Sequence, residues 1–190
     1  MKPIGLSSGK GIHVYAGESV TELISHSCML EEFVNQSLII SKLNPSSVNT
    51  VRVYTILDSK GKPHILSASL RVGGKKSEVD NFHAGGVGYP IDVESGVISS
   101  AGADIMGVRY LFHPGTEIKV VGFEIPRWNQ FVKFIFKACL VIPEGRMIAW
   151  DVAITEDGFE MIEGNYAGDP CFMQTPSGVG MLKQIVQYAK

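Results

Sequence analysis

The amino-acid sequence predicts an α+β fold built largely on antiparallel hairpins. Three observations carry that prediction. Two β-prone runs, Val48 to Leu57 and His64 to Val72, flank the turn-forming Asp58-Ser-Lys-Gly61-Lys-Pro63. One helical pattern follows, with Trp128, Phe131, Val132, Ile135, Phe136, Cys139 and Leu140 recurring at i, i+3, i+4, i+7 spacing. A second hairpin comes last, two strands around Thr155-Glu-Asp-Gly158.

Composition narrows the function classes. A chain of 190 residues, 45% of them hydrophobic, suits one compact unit or two small subdomains sharing a core. A formal net charge of −2 supplies no basic field for nucleic acid. The longest apolar stretch, Phe131 to Ile142, is broken by Lys133 and Lys137 and is too short to cross a bilayer. Met1 to Gly5 lacks the apolar core of a signal peptide. Cys28, Cys139 and Cys171 are odd in number and lack CxxC spacing, which fits buried free thiols in a reducing cytoplasm. Neither nucleic-acid binding nor membrane insertion is therefore expected.

From the start of the chain, Lys2-Pro3 leads into Gly5-Leu-Ser-Ser-Gly9-Lys10-Gly11 and then the apolar Ile12 to Tyr15. This reads as a strand end, a Gly/Ser turn and a second strand. Glycine lets backbone N–H groups approach phosphate closely, although a plain hairpin turn has the same composition. The P-loop pattern is absent. Ser19-Val-Thr-Glu22 is a capping box that predicts a helix starting at Ser19. Cys28 to Val34 then reads as a strand interrupted by Glu31 and Glu32. It is either a solvated edge or a hinge whose backbone bonds a purine.

Arg52 and Arg71 lie inside the two strands of the first hairpin. A strand arginine usually faces solvent, but two on facing strands can line a polyphosphate, because guanidinium binds phosphate bidentately. Asp80-Asn-Phe-His-Ala-Gly-Gly-Val-Gly88 has too many glycines for a helix or regular strand and reads as a loop. Its His83 is a candidate base or, more simply, a hydrogen-bonding group. Residues 97 to 113 give no clear pattern, and His113-Pro-Gly115 is a turn. In the helix that follows, Pro126 suits the first turn and Pro143 with Gly145 ends it, with Arg127, Lys133 and Lys137 on the polar side.

The last hairpin carries the chemistry. Folding about residues 156 and 157 pairs positions whose numbers sum to about 313 or 314, which sets Asp151 opposite Glu163. Asn165 shares the face of Glu163. Two carboxylates that close repel unless a cation lies between them, and Mg²⁺ takes one or two carboxylates plus substrate phosphates. A pair of surface acids is the alternative, set against the apolar neighbours Ile148, Val152, Ile154, Met161 and Ile162.

Strand, aspartate, hairpin and Glu-x-Asn together resemble the metal-binding end of the ATP-grasp superfamily. The phrases Pro45-Ser-Ser-Val-Asn-Thr-Val-Arg52, Val79-Asp-Asn-Phe-His-Ala-Gly-Gly86 and Trp150-Asp-Val-Ala-Ile-Thr155 most resemble its sugar-transfer-associated branch, which is linked with cell-surface polysaccharide synthesis. The resemblance covers nearly the whole chain. It implies an ATP-grasp fold, two small α+β subdomains clasping the nucleotide, here residues 1–36 and 37–190. It implies ATP and one or two Mg²⁺ ions, with Mn²⁺ as the alternative ion. The implied activity is a ligase that makes an acyl-phosphate from a small-molecule carboxylate and passes it to an amine or similar nucleophile. A phosphotransferase and a non-catalytic nucleotide-binding fragment are the alternatives.

The implied residue roles follow the chain. Lys2 touches ATP, and Ser8, Gly9, Lys10 and Gly11 cover the phosphates. Glu31, Glu32, Phe33 and Val34 hold adenine, Gln36 or a neighbour reaches ribose, and Ile162 floors the adenine pocket. Arg52 and Arg71 stabilise the transferred phosphoryl group, and Asn81 belongs to the catalytic loop. Asp151, Glu163 and Asn165 hold the metal. The sequence departs from D-alanine ligase relatives after Asn165, where Tyr-Ala-Gly-Asp-Pro stands in place of Thr-x-Pro-Gly. Complete relatives also carry an N-terminal α/β domain ahead of the lysine. The expectation is a fragment, a reduced form, or a chain whose partner or second copy supplies that part.

Overall fold

The structure, a computed structural model, describes residues 2–3, 28–74, 80–166 and 168–190. The loop expected at Ser8 to Gly11 and the helix expected after Ser19 lie outside these residues, as does most of the first expected subdomain.

Two short strands, β1 (Lys2–Pro3) and β2 (Cys28–Met29), pair antiparallel, with Lys2 opposite Met29. The strand expected from Cys28 to Val34 is thus laddered only at its first two residues. Glu31, Glu32 and Phe33 follow as exposed irregular chain. Adjacent acids favour solvated backbone over a buried ladder, which accounts for the early end. A single helical turn, α1 (Leu38–Ser41), leads into the main sheet.

That sheet has seven strands: β3 (Thr50–Leu57), β4 (Pro63–Val72), β5 (Val87–Ile91), β6 (Gly102–Ala103), β7 (Arg109–Tyr110), β8 (Met147–Ile154) and β9 (Phe159–Tyr166). Their order is β7-β6-β5-β4-β3-β8-β9, and every neighbouring pair is antiparallel. The first predicted hairpin is β3–β4 and the second is β8–β9. Between them, β6 and β7 occupy the stretch that the sequence leaves unread. They are two residues each, too short to show periodicity.

Alternation along each strand separates two faces. Val51, Val53, Leu70, Val72, Tyr89, Val152 and Ile154 point to a core closed by α2 (Trp128–Cys139) through Trp128, Phe131, Ile135 and Cys139. Burying one such aromatic or aliphatic side chain contributes about 1.5–3 kcal/mol. The opposite face carries Tyr54, Ile56, Leu66 and Ala149. It is covered by α3 (Pro170–Gln174) through Phe172 and Met173, with Met181 just before α4 (Leu182–Ala189). With both faces covered, β3 and β8 are almost continuously buried. No helix among the described residues is long and apolar enough to cross a membrane.

Helix α2 begins later than the proline suggests. Pro126 precedes the cap, and Arg127 is the N-cap in a left-handed conformation, φ 57°. Arg127 also leaves the solvated face expected for it. It donates to the carbonyls of Thr155 and Gly158 and lies 5.2 Å from the Phe159 ring centre.

Candidate functional site

The candidate face is assembled by register. β3 sets Arg52 opposite Ser69 of β4 on one side and opposite Asp151 of β8 on the other. Arg71 stands two residues from Ser69 and so shares that face. β8 in turn sets Asp151 opposite Glu163 of β9. Both sums anticipated for the last hairpin occur. Pairs from Ile154–Phe159 to Val152–Met161 sum to 313, and pairs from Asp151–Glu163 onward sum to 314. A bulge at Ile162 separates the two registers. Met161 pairs with Val152 and packs on the core face, whereas Glu163 pairs with Asp151 on the other face. Strict alternation would have put Met161 and Glu163 together, so the extra residue aims the glutamate at the arginines.

Asp151 is the centre of the cluster. Arg52 grips it with two nitrogens, Nε to Oδ1 and Nη2 to Oδ2, the latter at 2.5 Å. Arg71 Nη1 donates to the same Oδ2 at 2.7 Å. The far side of Arg71 is held by Asp80, with Nη2 donating to Oδ1 at 2.7 Å. Asp80 also accepts from the backbone N–H of Thr50 at 2.9 Å and from its hydroxyl. Glu163 stands 3.9 Å from Arg52 Nη2 and accepts from Asn165 Nδ2 at 3.0 Å. Three carboxylates thus surround two guanidiniums, and the glutamate is the most exposed, its side chain at 46% against 5% for Asp151.

The electrostatics follow from that packing. Burial pushes the Asp151 pKa up, but the Arg52 hydrogen bond and the charges of Arg71 and Arg52 pull it down by more, so it lies below the ordinary aspartate value. For Arg52 burial pulls down and Asp151 pushes up by more, so it stays charged. Asp80 goes the other way: burial raises it further than Arg71 and Thr50 lower it.

Aromatic and glycine contacts shape the wall. Arg52 lies 5.8 Å from the ring centre of Phe172, which packs edge-on to Phe82 at 4.7 Å. A Cβ on Gly88 would come within 2.8 Å of Phe172 Cε2, so this glycine is what lets α3 sit down beside the arginines.

The other predicted residues are placed as follows. Asn81 accepts the backbone N–H of His83 and caps a 3₁₀ turn over Phe82–Ala84, leaving His83 exposed. Gln36, expected at ribose, instead uses both ends of its amide within the framework. Its Nε2 donates to Ser47 O at 2.6 Å and its Oε1 accepts from Asn49 N at 2.9 Å. Glu31, Glu32 and Phe33 are exposed, Phe33 at 66%, and Val34 is half-buried. Ile162 is the exposed bulge residue. Lys2 lies in β1 opposite Met29. Ser8, Gly9, Lys10 and Gly11 lie outside the described residues. Three contributors escape the sequence reading: Thr50, Asp80 and Phe172. Asp80 opens the glycine-rich phrase and could have been singled out as an acid at a strand-loop boundary. Nothing in the sequence points to Phe172.

No cluster of three or more His, Cys, Asp or Glu among the described residues is arranged to hold a metal. What is present is two carboxylates and a carboxamide. Asp151 has about four lone-pair positions and three are taken by guanidinium, leaving one on Oδ1. Glu163 Oε1 accepts from Asn165, while Glu163 Oε2 and the Asn165 carbonyl oxygen have no hydrogen-bond partner among the described residues. Hard oxygen donors of this number fit Mg²⁺, which keeps the remaining positions for water and phosphate.

The sequence profile of the sugar-transfer associated ATP-grasp family matches residues 21–190. No curated protein and no solved structure matches at a significant level. ATP-grasp domains bind ATP, generally with Mg²⁺, and act in the main as ATP-dependent ligases. The matched span takes in residues 31–34, both hairpins and the arginine–carboxylate cluster, and on that ground the chain belongs to the sugar-transfer associated ATP-grasp family.

Proposed function

We propose that the chain binds Mg·ATP against the arginine-bearing face of its main sheet and activates a carboxylate substrate as an acyl-phosphate for ligation to an amine. The observation that carries this reading is the pairing of Arg52 and Arg71 on one carboxylate, with Glu163 and Asn165 on the next strand. Two guanidiniums held side by side suit the charge that spreads over a transferring phosphoryl group. Asp80 and Asp151 keep both in place before substrate arrives, so little reorganisation accompanies the reaction.

In this reading a substrate carboxylate oxygen attacks the γ-phosphorus, the bond to the β-phosphate bridging oxygen breaks, and ADP leaves. The amine nitrogen then bonds the acyl carbon, the carbon–oxygen bond to phosphate breaks, and the amine proton passes to solvent. Arg52 and Arg71 orient the phosphoryl oxygens in the first step and the departing phosphate in the second. Glu163, Asn165 and the open position of Asp151 would hold Mg²⁺. When bound there, the ion would supply charge neutralisation to the phosphates. Glu31 to Val34 would receive adenine, with exposed Phe33 offering apolar surface. The family's association with sugar transfer directs the search for the carboxylate toward cell-surface polysaccharide precursors in the cytoplasm.

The test is product release. ADP and phosphate should appear only when a carboxylate and an amine are both supplied. A stable phosphorylated product from one acceptor would instead identify a kinase, and binding without turnover would identify a nucleotide module.

A further inference from the structure

Away from the arginines, the tip of the β8–β9 hairpin is tied down from two sides. On one side the chain leaving the hinge docks on it. Gln36 bridges to Thr155, Ser37 N donates to Ile154 O at 2.8 Å, and Leu38 N donates to Glu156 Oε1 at 2.6 Å. On the other side Arg127 Nη2 donates to Thr155 O and, at 3.2 Å, to Gly158 O. Its guanidinium also covers Phe159, the first residue of β9. Arg127 reaches the turn from a left-handed backbone conformation that non-glycine residues seldom adopt, and it supplies no side-chain cap to its own helix. The residue at this N-cap serves the hairpin.

We propose that Glu156 and Arg127 are positioning residues that set the distance between the nucleotide hinge and the metal-side edge of the site. The proposal rests on the reading of Glu31 to Val34 as the adenine contact and of Glu163 with Asn165 as metal ligands. Glu163, level with Asp151, lies about 13 Å along the hairpin from Thr155 at the tip, four strand residues at ~3.3 Å each. A nucleotide spanning the hinge and the metal edge needs both at one fixed separation. Misplacement by about 1 Å is enough to cost up to a hundred-fold in a reaction governed by alignment. Glu156 fixes the hinge exit to the tip, and Arg127 fixes the tip to the body of the fold.

Adenosine reaches the hinge without engaging the metal ligands, whereas Mg·ADP spans hinge and metal edge, so the two ligands separate positioning from general stability. Full-length wild type, Glu156→Ala, Glu156→Gln and Arg127→Ala are titrated with Mg·ADP and, separately, with metal-free adenosine. Mg·ADP affinity should fall about ten-fold in both alanine variants, the worth of one charge-assisted hydrogen bond. It should return to within about three-fold of wild type in Glu156→Gln, which keeps the acceptor oxygen. Adenosine affinity should not change. Equal losses for both ligands, or no loss for Mg·ADP, would overturn the proposal. Wild type that binds neither ligand would sink the nucleotide reading itself, and the proposal with it. Glu156 is exposed, so its truncation leaves the core intact. In that variant the Leu38 amide should exchange hydrogen faster, and unchanged exchange also counts against the proposal.

Discussion

Replacing Asp151 with asparagine removes the charge at the centre of the site and keeps its shape. Asp151 accepts three hydrogen bonds from two guanidiniums, and its side chain is 5% exposed. Removing one partner of a buried ion pair costs about 3–5 kcal/mol, because the other charge stays buried. Here the loss falls at the low end of that range. Arg71 retains Asp80, and Arg52, at 13% side-chain exposure, retains Glu163 at 3.9 Å and some water. A destabilisation of about 3 kcal/mol corresponds to a Tm lower by roughly 6–12 °C for a chain of this size. Differential scanning calorimetry at pH 7 measures it directly. A fall below about 2 °C, or a rise, would show that the arginines do not depend on Asp151 and would refute the account of the cluster. Acid adds a second reading of the same carboxylate. Its folded pKa lies below the ordinary value, so its contribution is fully present above that value and is lost as pH falls through the folded pKa. Asp151→Asn should therefore flatten the loss of stability below about pH 4.

Other consequences follow from single contacts. Gly164→Ala brings a Cβ within 2.9 Å of the Trp150 ring, between Glu163 and Asn165. It should cost about 1–3 kcal/mol and shift tryptophan fluorescence, since the buried ring must move or β9 must lift. Phe172→Ala removes the aromatic wall beside Arg52 and should destabilise by about 3–5 kcal/mol in chemical denaturation. His113 is buried with Nε2–H donating to Gly73 O at 2.7 Å, so its Nδ1 accepts from the Gly115 and Thr116 amides. Burial lowers its pKa, so neutral His113 contributes stability that is present above about pH 6.5 and is lost as pH falls below that. Denaturation midpoints at pH 7.5 and pH 5.5 should differ more in wild type than in His113→Gln.

The parts of the fold legible in the sequence are those fixed by local periodicity. α2 shows a helical stripe of six apolar residues, and each hairpin carries its own turn chemistry. The facing of Asp151 and Glu163 was readable because hairpin arithmetic needs only the turn position. The bulge at Ile162 was not, although both registers it separates were within that arithmetic. What escaped depends on distant partners. Asp80 binds Thr50 across thirty positions, and Phe172 meets Arg52 only because α3 folds back onto the sheet. Short elements such as β6, β7 and α1 have too few residues for a period. Gln36 illustrates the converse: its residue type suits ribose, but the loop at Ser47 and Asn49 claims both ends of its amide.

The central claim is that Glu163, on the strand beyond the paired arginines, holds the metal that brings ATP to this face. Titrating ATP into wild type and Glu163→Gln, each with and without Mg²⁺, tests it most directly. Wild type should bind more tightly with Mg²⁺ than without, and Glu163→Gln should lose most of that gain while keeping its fold. An unchanged Mg²⁺-dependent gain in Glu163→Gln would contradict the account.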